Sequence, residues 1–305
     1  MSLNIIHSLQ RGDTIGLIAP NEYINPKSAF YELCEQIKNR GFKVQVGNHV
    51  FDRYGSLAGT DANRAQDFQD MVVDPSIKGI FCVGFRWGTA RILDELDWET
   101  IKAHPKWIMG WGETSSLLTP LAQTTAWRCL YGDPAEVSAH DHIWESFEKS
   151  LHAEPHTLFN PASTDRSAFL IYGDGEAEGT LCGGHLASMA YSLGTANEIQ
   201  TEGRILYIDG SHIRPEMAER HLTALWLAGK LQGAKAIVVA ETHDNKTVGD
   251  GNTFSYEEVL ENRLPMLEKP ILAGLPLQKR VVALHTWSHL HTHSHHFEVN
   301  LETKD

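Results

Sequence analysis

Short β-branched runs alternate with segments of helical period through the first half of the chain, the pattern of a parallel sheet covered by helices. Thr14-Ile15-Gly16-Leu17-Ile18-Ala19-Pro20 reads as the first strand, and the amphipathic stretch from Ser28 to Arg40, stopped at Gly41, as a helix. Phe42 to Val46 is a second expected strand, followed by a helix at Ala62 to Met71, a strand at Gly79 to Val83 and a helix at Thr89 to Leu96. A strand at Trp107 to Gly110 then leads into a turn at Trp111 to Glu113. From His140 to Ala168 the periodicity weakens, and Pro155, Pro161 and Ser163 interrupt it as in a linker. The second half opens on a Gly-rich stretch, Gly173 to Gly184, and continues through strands at Arg204 to Ile208 and Ala236 to Ala240 around a helix at Glu216 to Ala228. The expected division is an α/β domain over residues 1–135, a linker over 136–170 and a second domain over 171–305, without internal repeats.

Composition adds exclusions. At 305 residues and 42% apolar content the chain is long enough for two domains with cores of their own. A formal net charge of -13 sets it against non-specific nucleic-acid binding, because phosphate is drawn to basic surfaces. Met1 to His7 lacks the basic region and long apolar run of a signal peptide, and no stretch has the length of a membrane span, so a cytoplasmic location is expected. Cys34, Cys82, Cys129 and Cys182 are too widely spaced for a zinc knuckle or a redox pair, and buried free thiols are expected.

Gly59-Thr60-Asp61, Arg64, Phe68, Asp74-Pro75, Trp87-Gly88, Arg91, Leu93, Leu96-Asp97, Pro105-Lys106 and Gly110-Trp111-Gly112-Glu113 together resemble the LD-carboxypeptidase family, which includes the microcin-immunity peptidases. Gly179-Thr180-Leu181-Cys182-Gly183-Gly184-His185-Leu186, Leu193-Gly194-Thr195 and Ile205 to Gly210 extend the resemblance, which runs from about Arg11 to Val299. It implies a two-domain α/β fold: a doubly wound, Rossmann-like parallel sheet, then a smaller β-rich C-terminal domain, with the ligand cleft at their junction. It also implies serine-type amide hydrolysis, and here the chain departs from the pattern. The family's Gly-Tyr-Ser-Asp, with its serine on a sharp strand-to-helix turn, is matched by Gly-Trp-Gly-Glu, so Gly112 stands where the nucleophile would and has no atom to attack a carbonyl. Asp209 stands in place of the glutamate that orients the catalytic histidine, Gln278 and Lys279 stand at the family's Gly-His, and His185 replaces an asparagine. The family's Arg-Gly-Gly-Tyr-Gly oxyanion turn becomes Gly84-Phe85-Arg86-Trp87-Gly88, which sets two bulky side chains where a bare amide would approach the developing charge.

Each candidate has a functional and a structural reading. Gly112 serves a left-handed turn, with or without a nucleophile. Thr114, Ser115 and Ser116 offer hydroxyls, but they fall in the following helix and are expected to point away. Arg86 and Trp87, with Trp111 and Gly112, are the candidate ligand-binding residues: a guanidinium grips a carboxylate bidentately and an aromatic face stacks, unless Arg86 merely pairs with a nearby acid. Asp209, Glu113, His185 and Lys279 are the candidate acid–base residues. The first three could instead hold a divalent metal or form a hydrogen-bonded network between the domains; no cofactor is otherwise expected. His285, His289, His291, His293, His295 and His296 form a C-terminal run whose alternation would put imidazoles on one face of a strand, giving incidental affinity for transition metals rather than a reaction centre. The expected partners are a small peptide-like or aminoacyl substrate and a second copy in a homodimer, with no nucleic acid and no membrane. Two functions stay open: an enzyme repurposed to work without a serine nucleophile, or a non-catalytic homologue that binds such a ligand or a partner protein. An ordinary serine carboxypeptidase comes third.

Overall fold

The computed structural model describes residues 9–152, 154, 157–159, 170–240, 254–275, 281–293 and 298–304, with the backbone alone for 157–159 and 298–304. The chain divides into one unit of residues 1–152 with 278–283 and another of 153–277 with 284–305.

The first unit contains β1 (Thr14–Ile18), α1 (Lys27–Asn39), β2 (Lys43–Val46), α2 (Asp61–Val73), β3 (Ile77–Cys82), α3 (Trp98–Ala103), β4 (Trp107–Gly110), α4 (Ser115–Thr124), β5 (Arg128–Tyr131), α5 (Pro134–Ala139) and α6 (Asp141–Leu151). Its sheet has the order β2-β1-β3-β4-β5, all parallel, and a short antiparallel strand at Val282–Ala283, the twelfth in chain order (β12), closes the β5 edge by pairing with Tyr131 and Leu130. Period-two alternation explains how both faces are covered. Ile15, Leu17, Phe81, Trp107 and Met109 point into one core with Phe30, Leu33 and Ile37 of α1 and with Trp144 and Phe147 of α6. On the other face Gly16 lies so near α2 that a Cβ would stand 2.8 Å from the Met71 sulfur. Strand order reverses direction between β1 and β3, and the loops leaving the carboxyl ends of those two strands flank the crevice where sheets of this type bind ligands.

The second unit is built on an eight-stranded sheet, in the order β6-β14-β13-β8-β9-β10-β11-β7. Its elements are β6 (Thr157–Phe159), β7 (Leu170–Gly173), β8 (Gly175–His185), α7 (Leu186–Ser192), β9 (Ile205–Asp209), α8 (Pro215–Leu227), α9 (Lys230–Gly233), β10 (Ala236–Ala240), α10 (Tyr256–Arg263), β11 (Ile271–Leu275), β13 (Trp287–His293) and β14 (Glu298–Lys304). β8, β9, β10 and β11 run parallel, and the β13–β14 hairpin extends the sheet in antiparallel fashion from β8. Leu206, Ile208, Ile237 and Val239 share a core with Leu222 and Leu225 of α8 and Val259 and Leu260 of α10.

Two expectations are corrected. Residues 141–151, assigned to the linker, form α6, because Ile143, Trp144, Phe147 and Leu151 lie on one face of an eleven-residue helix and are buried. Thr89–Glu95 is 3-10 rather than α-helical. Of the expected linker, residues 153, 155–156 and 160–169 lie outside the described residues. The four cysteines are free and buried, as expected. No helix among the described residues is long and apolar enough to cross a membrane.

Candidate functional site

β4 ends at Gly110, Trp111 is extended, and Gly112 turns the chain at φ +56° into a 3-10 turn that continues as α4. This is the sharp strand-to-helix elbow expected there. The Gly112 amide donates to the Tyr131 hydroxyl (2.9 Å), and the next amide, Glu113, donates to the Phe85 carbonyl (2.9 Å). A Cβ at Gly112 would run into that carbonyl oxygen and stand 2.8 Å from Phe85 Cβ. Glycine is therefore demanded twice, by the left-handed backbone and by the approach of Phe85. It is the Phe85 main chain that lies against the elbow. Thr114 and Ser115 are buried, and Thr114 accepts from the Asn21 amide at 3.3 Å.

The Phe85 carbonyl is held in place by a strap, Gly84 to Gly88, whose terminal glycines lie at φ +95° and +130°. Glu22, on the loop after β1, accepts the amides of Phe85 (3.2 Å) and Arg86 (3.0 Å). Arg64 of α2, 1% exposed, donates to the carbonyls of Pro20 and Gly88, tying the loops after β1 and β3 together, and pairs with Asp61. Asp61 also receives Arg91 at 2.7 Å. The Phe85 and Trp111 rings stack 4.6 Å apart, the Arg86 guanidinium lies 5.3 Å from the Phe85 ring centre, and Trp87 is 49% exposed. Burial raises the Glu113 carboxyl above its ordinary pKa; a hydrogen bond from the Gly88 amide opposes this and the Glu22 charge adds to it.

In the second unit His185 and Asp209 are register partners at the carboxyl ends of β8 and β9. Both are buried. Asp209 accepts the Ser211 amide (2.8 Å), and Ser188 Oγ stands 3.5 Å from His185 Nδ1. Burial depresses the His185 pKa, against the Asp209 charge and a hydrogen bond to the Ser211 backbone, so the imidazole is neutral at pH 7. His221 of α8 is buried close by and is likewise lowered by burial and by His185. The Tyr256 ring abuts Gly210, where a Cβ would collide with its hydroxyl.

Thus Arg86, Trp87, Trp111, Gly112 and Glu113 gather in the first unit, and His185 and Asp209 in the second, while Lys279 lies outside the described residues. Sequence reasoning missed Glu22, the Tyr131 hydroxyl and His221; the available signal for Glu22 was its place just beyond the first strand at the sheet's switch point. His289 and His291 lie on one face of β13 beside Glu176, at 3.9 and 3.1 Å, and His295 and His296 are outside the described residues. Among the described residues no three His, Cys, Asp or Glu side chains are placed to hold a metal ion.

A parallel sheet with an elbow beyond its fourth strand, joined in sequence to a second mixed sheet, defines a two-domain α/β protein. Residues 15–132 match the LD-carboxypeptidase N-terminal domain and residues 178–278 the LD-carboxypeptidase C-terminal domain, so the chain belongs to the LD-carboxypeptidase family. It is 30% identical over 274 residues to a probable murein peptide carboxypeptidase of Bacillus subtilis, covering 88% of this chain and 85% of the relative. It is 26% identical over 294 residues to the microcin C7 self-immunity protein MccF of Escherichia coli, covering 86% and 85%. The solved structure of MccF in complex with aspartyl sulfamoyl adenosine superimposes with a TM-score of 0.85 at 23% identity, covering 98% of this chain and 97% of that one, a likeness of fold.

Proposed function

We propose that this protein recognises a small peptide-like or aminoacyl compound through its carboxylate, without forming an acyl-enzyme at the elbow. One observation carries the proposal: the Phe85 carbonyl fills the space a Gly112 side chain would need and also takes the Glu113 amide. In hydrolases with such an elbow, the amide after the nucleophile is an oxyanion donor. On this reading one main-chain atom removes both the room for a nucleophile's side chain and the free oxyanion donor. The ligand class is supported by the family, whose relatives are named for murein peptides and, in a solved complex, for an aminoacyl sulfamoyl nucleoside. Arg86, on an aromatic platform of Phe85 and Trp111, is the cation for the carboxylate.

A second reading rests on His185. A neutral, buried imidazole beside Asp209 can deprotonate a water, giving hydrolysis without a covalent intermediate. Titration calorimetry with a murein tetrapeptide and with an aminoacyl sulfamoyl nucleoside tests binding. Arg86→Ala should weaken it by about 1.5–3 kcal/mol, the range of a charge-assisted pair. The same samples should show no fluorophosphonate labelling and no D-alanine release. Turnover abolished by His185→Asn with binding retained would establish the second reading; turnover abolished by Ser115→Ala or Ser116→Ala would overturn both.

A further inference from the structure

The amides of Phe85 and Arg86 are consecutive, point at one carboxylate and belong to the loop after β3, on one side of the sheet's switch point; the carboxylate comes from the other side. Adjacent main-chain N–H groups converging in this way form an anion-receptive concavity. Gly84 shapes its wall, since a Cβ there would stand 2.8 Å from Glu22 Oε2 and 2.5 Å from Asn21 Oδ1. Asn21 is fully buried, and its Oδ1 has no hydrogen-bond partner among the described residues. Glu22 itself is only part-buried, and among the described residues no ion pair fixes it.

We propose that the Phe85 and Arg86 amides are a carboxylate-binding site that Glu22 fills in the free protein, and that an incoming carboxylate binds by displacing Glu22 towards solvent. The exchange keeps two N–H donors on two carboxylate oxygens throughout, so the hydrogen-bond count is conserved. The leftover acceptor on Asn21 selects among carboxylates: the C-terminal residue of a peptide or acyl amino acid presents an N–H beside its carboxylate, and acetate does not. Glu22 is therefore a specificity-determining competitor, and Arg86 contributes both its amide and its guanidinium. The proposal deepens the carboxylate-ligand function above and rests on it only for the identity of the natural occupant.

Amide-resolved NMR titration of the full chain with N-acetylglycine tests it, with N-acetylglycinamide as the uncharged control. Expected are saturable shifts of the Phe85 and Arg86 amide signals with the acid alone. In Glu22→Gln a neutral amide oxygen competes, and charge-assisted bonds are roughly twice as strong as neutral ones, so the dissociation constant for the acid should fall about tenfold. Glu22→Asp, which keeps the charge but retracts it by one methylene, should bind more tightly too, and serves if Glu22→Gln does not fold. Absence of shifts at those two amides, or equal affinity in wild type and the folded variants, overturns the proposal. Because the probe is a generic acyl amino acid, binding here together with failure of murein and aminoacyl ligands would sink only the preceding function.

Discussion

Returning a serine to the elbow is the most direct perturbation of this fold. Gly112→Ser meets two separate penalties. A non-glycine residue at φ +56° costs about 1–2 kcal/mol. The added Cβ also drives into the Phe85 carbonyl, a rigid main-chain atom that can retreat only by stretching the Glu113 and Glu22 hydrogen bonds; overpacking of this kind costs about 1–3 kcal/mol. The sum is about 2–5 kcal/mol. With an m-value of about 2 kcal/mol/M, the urea midpoint of the first unit should fall by about 1–2.5 M. Gly112→Ala should fall nearly as far, since the obstruction is at Cβ and not at the hydroxyl. Neither variant should react with a fluorophosphonate probe, because the Glu113 amide is still taken. Combining Gly112→Ser with Phe85→Gly and Arg86→Gly frees the strap and should recover part of the lost stability. A midpoint loss under about 0.5 M for Gly112→Ser, together with probe labelling, would show that the strap does not hold the elbow closed.

Three further outcomes are expected. Arg64→Ala leaves two carbonyls and Asp61 without their buried guanidinium and should lower stability by about 3–5 kcal/mol in urea unfolding, whereas Arg91→Ala, at the exposed end of the same cluster, should lower it by under about 1 kcal/mol. His285 is pushed by burial, and by Arg204, from 6.5 to about 4, so the unfolded chain binds its proton first on acidification and the stability present above pH 6.5 is lost as pH falls towards 4. His285→Asn, which tolerates the same φ of +61°, should remove up to about 3 kcal/mol of that loss when urea midpoints at pH 7 and pH 4.5 are compared. Replacing His291, His293, His295 and His296 with serine should abolish nickel affinity and leave the far-ultraviolet circular dichroism and any ligand binding unchanged.

Most of the first sheet was legible because its strands are short apolar runs between helices of clear period, and the observed bounds of β1, β2, β3 and β4 differ from the expected ones by a few residues at most. α6 was not, because its four apolar positions sit among histidines and acids next to a proline-rich stretch that read as a linker. The elbow was visible in Gly110 to Glu113 by its resemblance to a motif. What closes it was invisible, since a main-chain carbonyl carries no sequence signature and Phe85 drew notice only for its ring. The pairing of His185 with Asp209 follows from strand register, which spacing along the chain does not specify. Glu22 and His221 carry no motif, and of the two only Glu22 left a signal, its place just beyond the first strand.

The strand at Val282–Ala283 gives the first unit an unusual schedule. Ser150 Oγ, on α6, reaches the Val281 carbonyl, and Val281 and Ala283 belong to the first core, although the rest of that unit has been synthesised by His152. Ala283 follows His152 by 131 residues (283 − 152), with residues 153–277 of the second unit intervening. At the ribosome's pace of about 5–20 residues per second, the edge of β5 emerges unpaired and waits some 7–26 s for its partner. A gene fragment stopped at His152 would stay in that waiting state permanently, with Arg128 to Tyr131 open to strand addition from any neighbour. Residues 153–277 of the second unit are thus synthesised between two parts of the first, and quality control acting on the nascent chain sees an unfinished sheet until Ala283 has emerged.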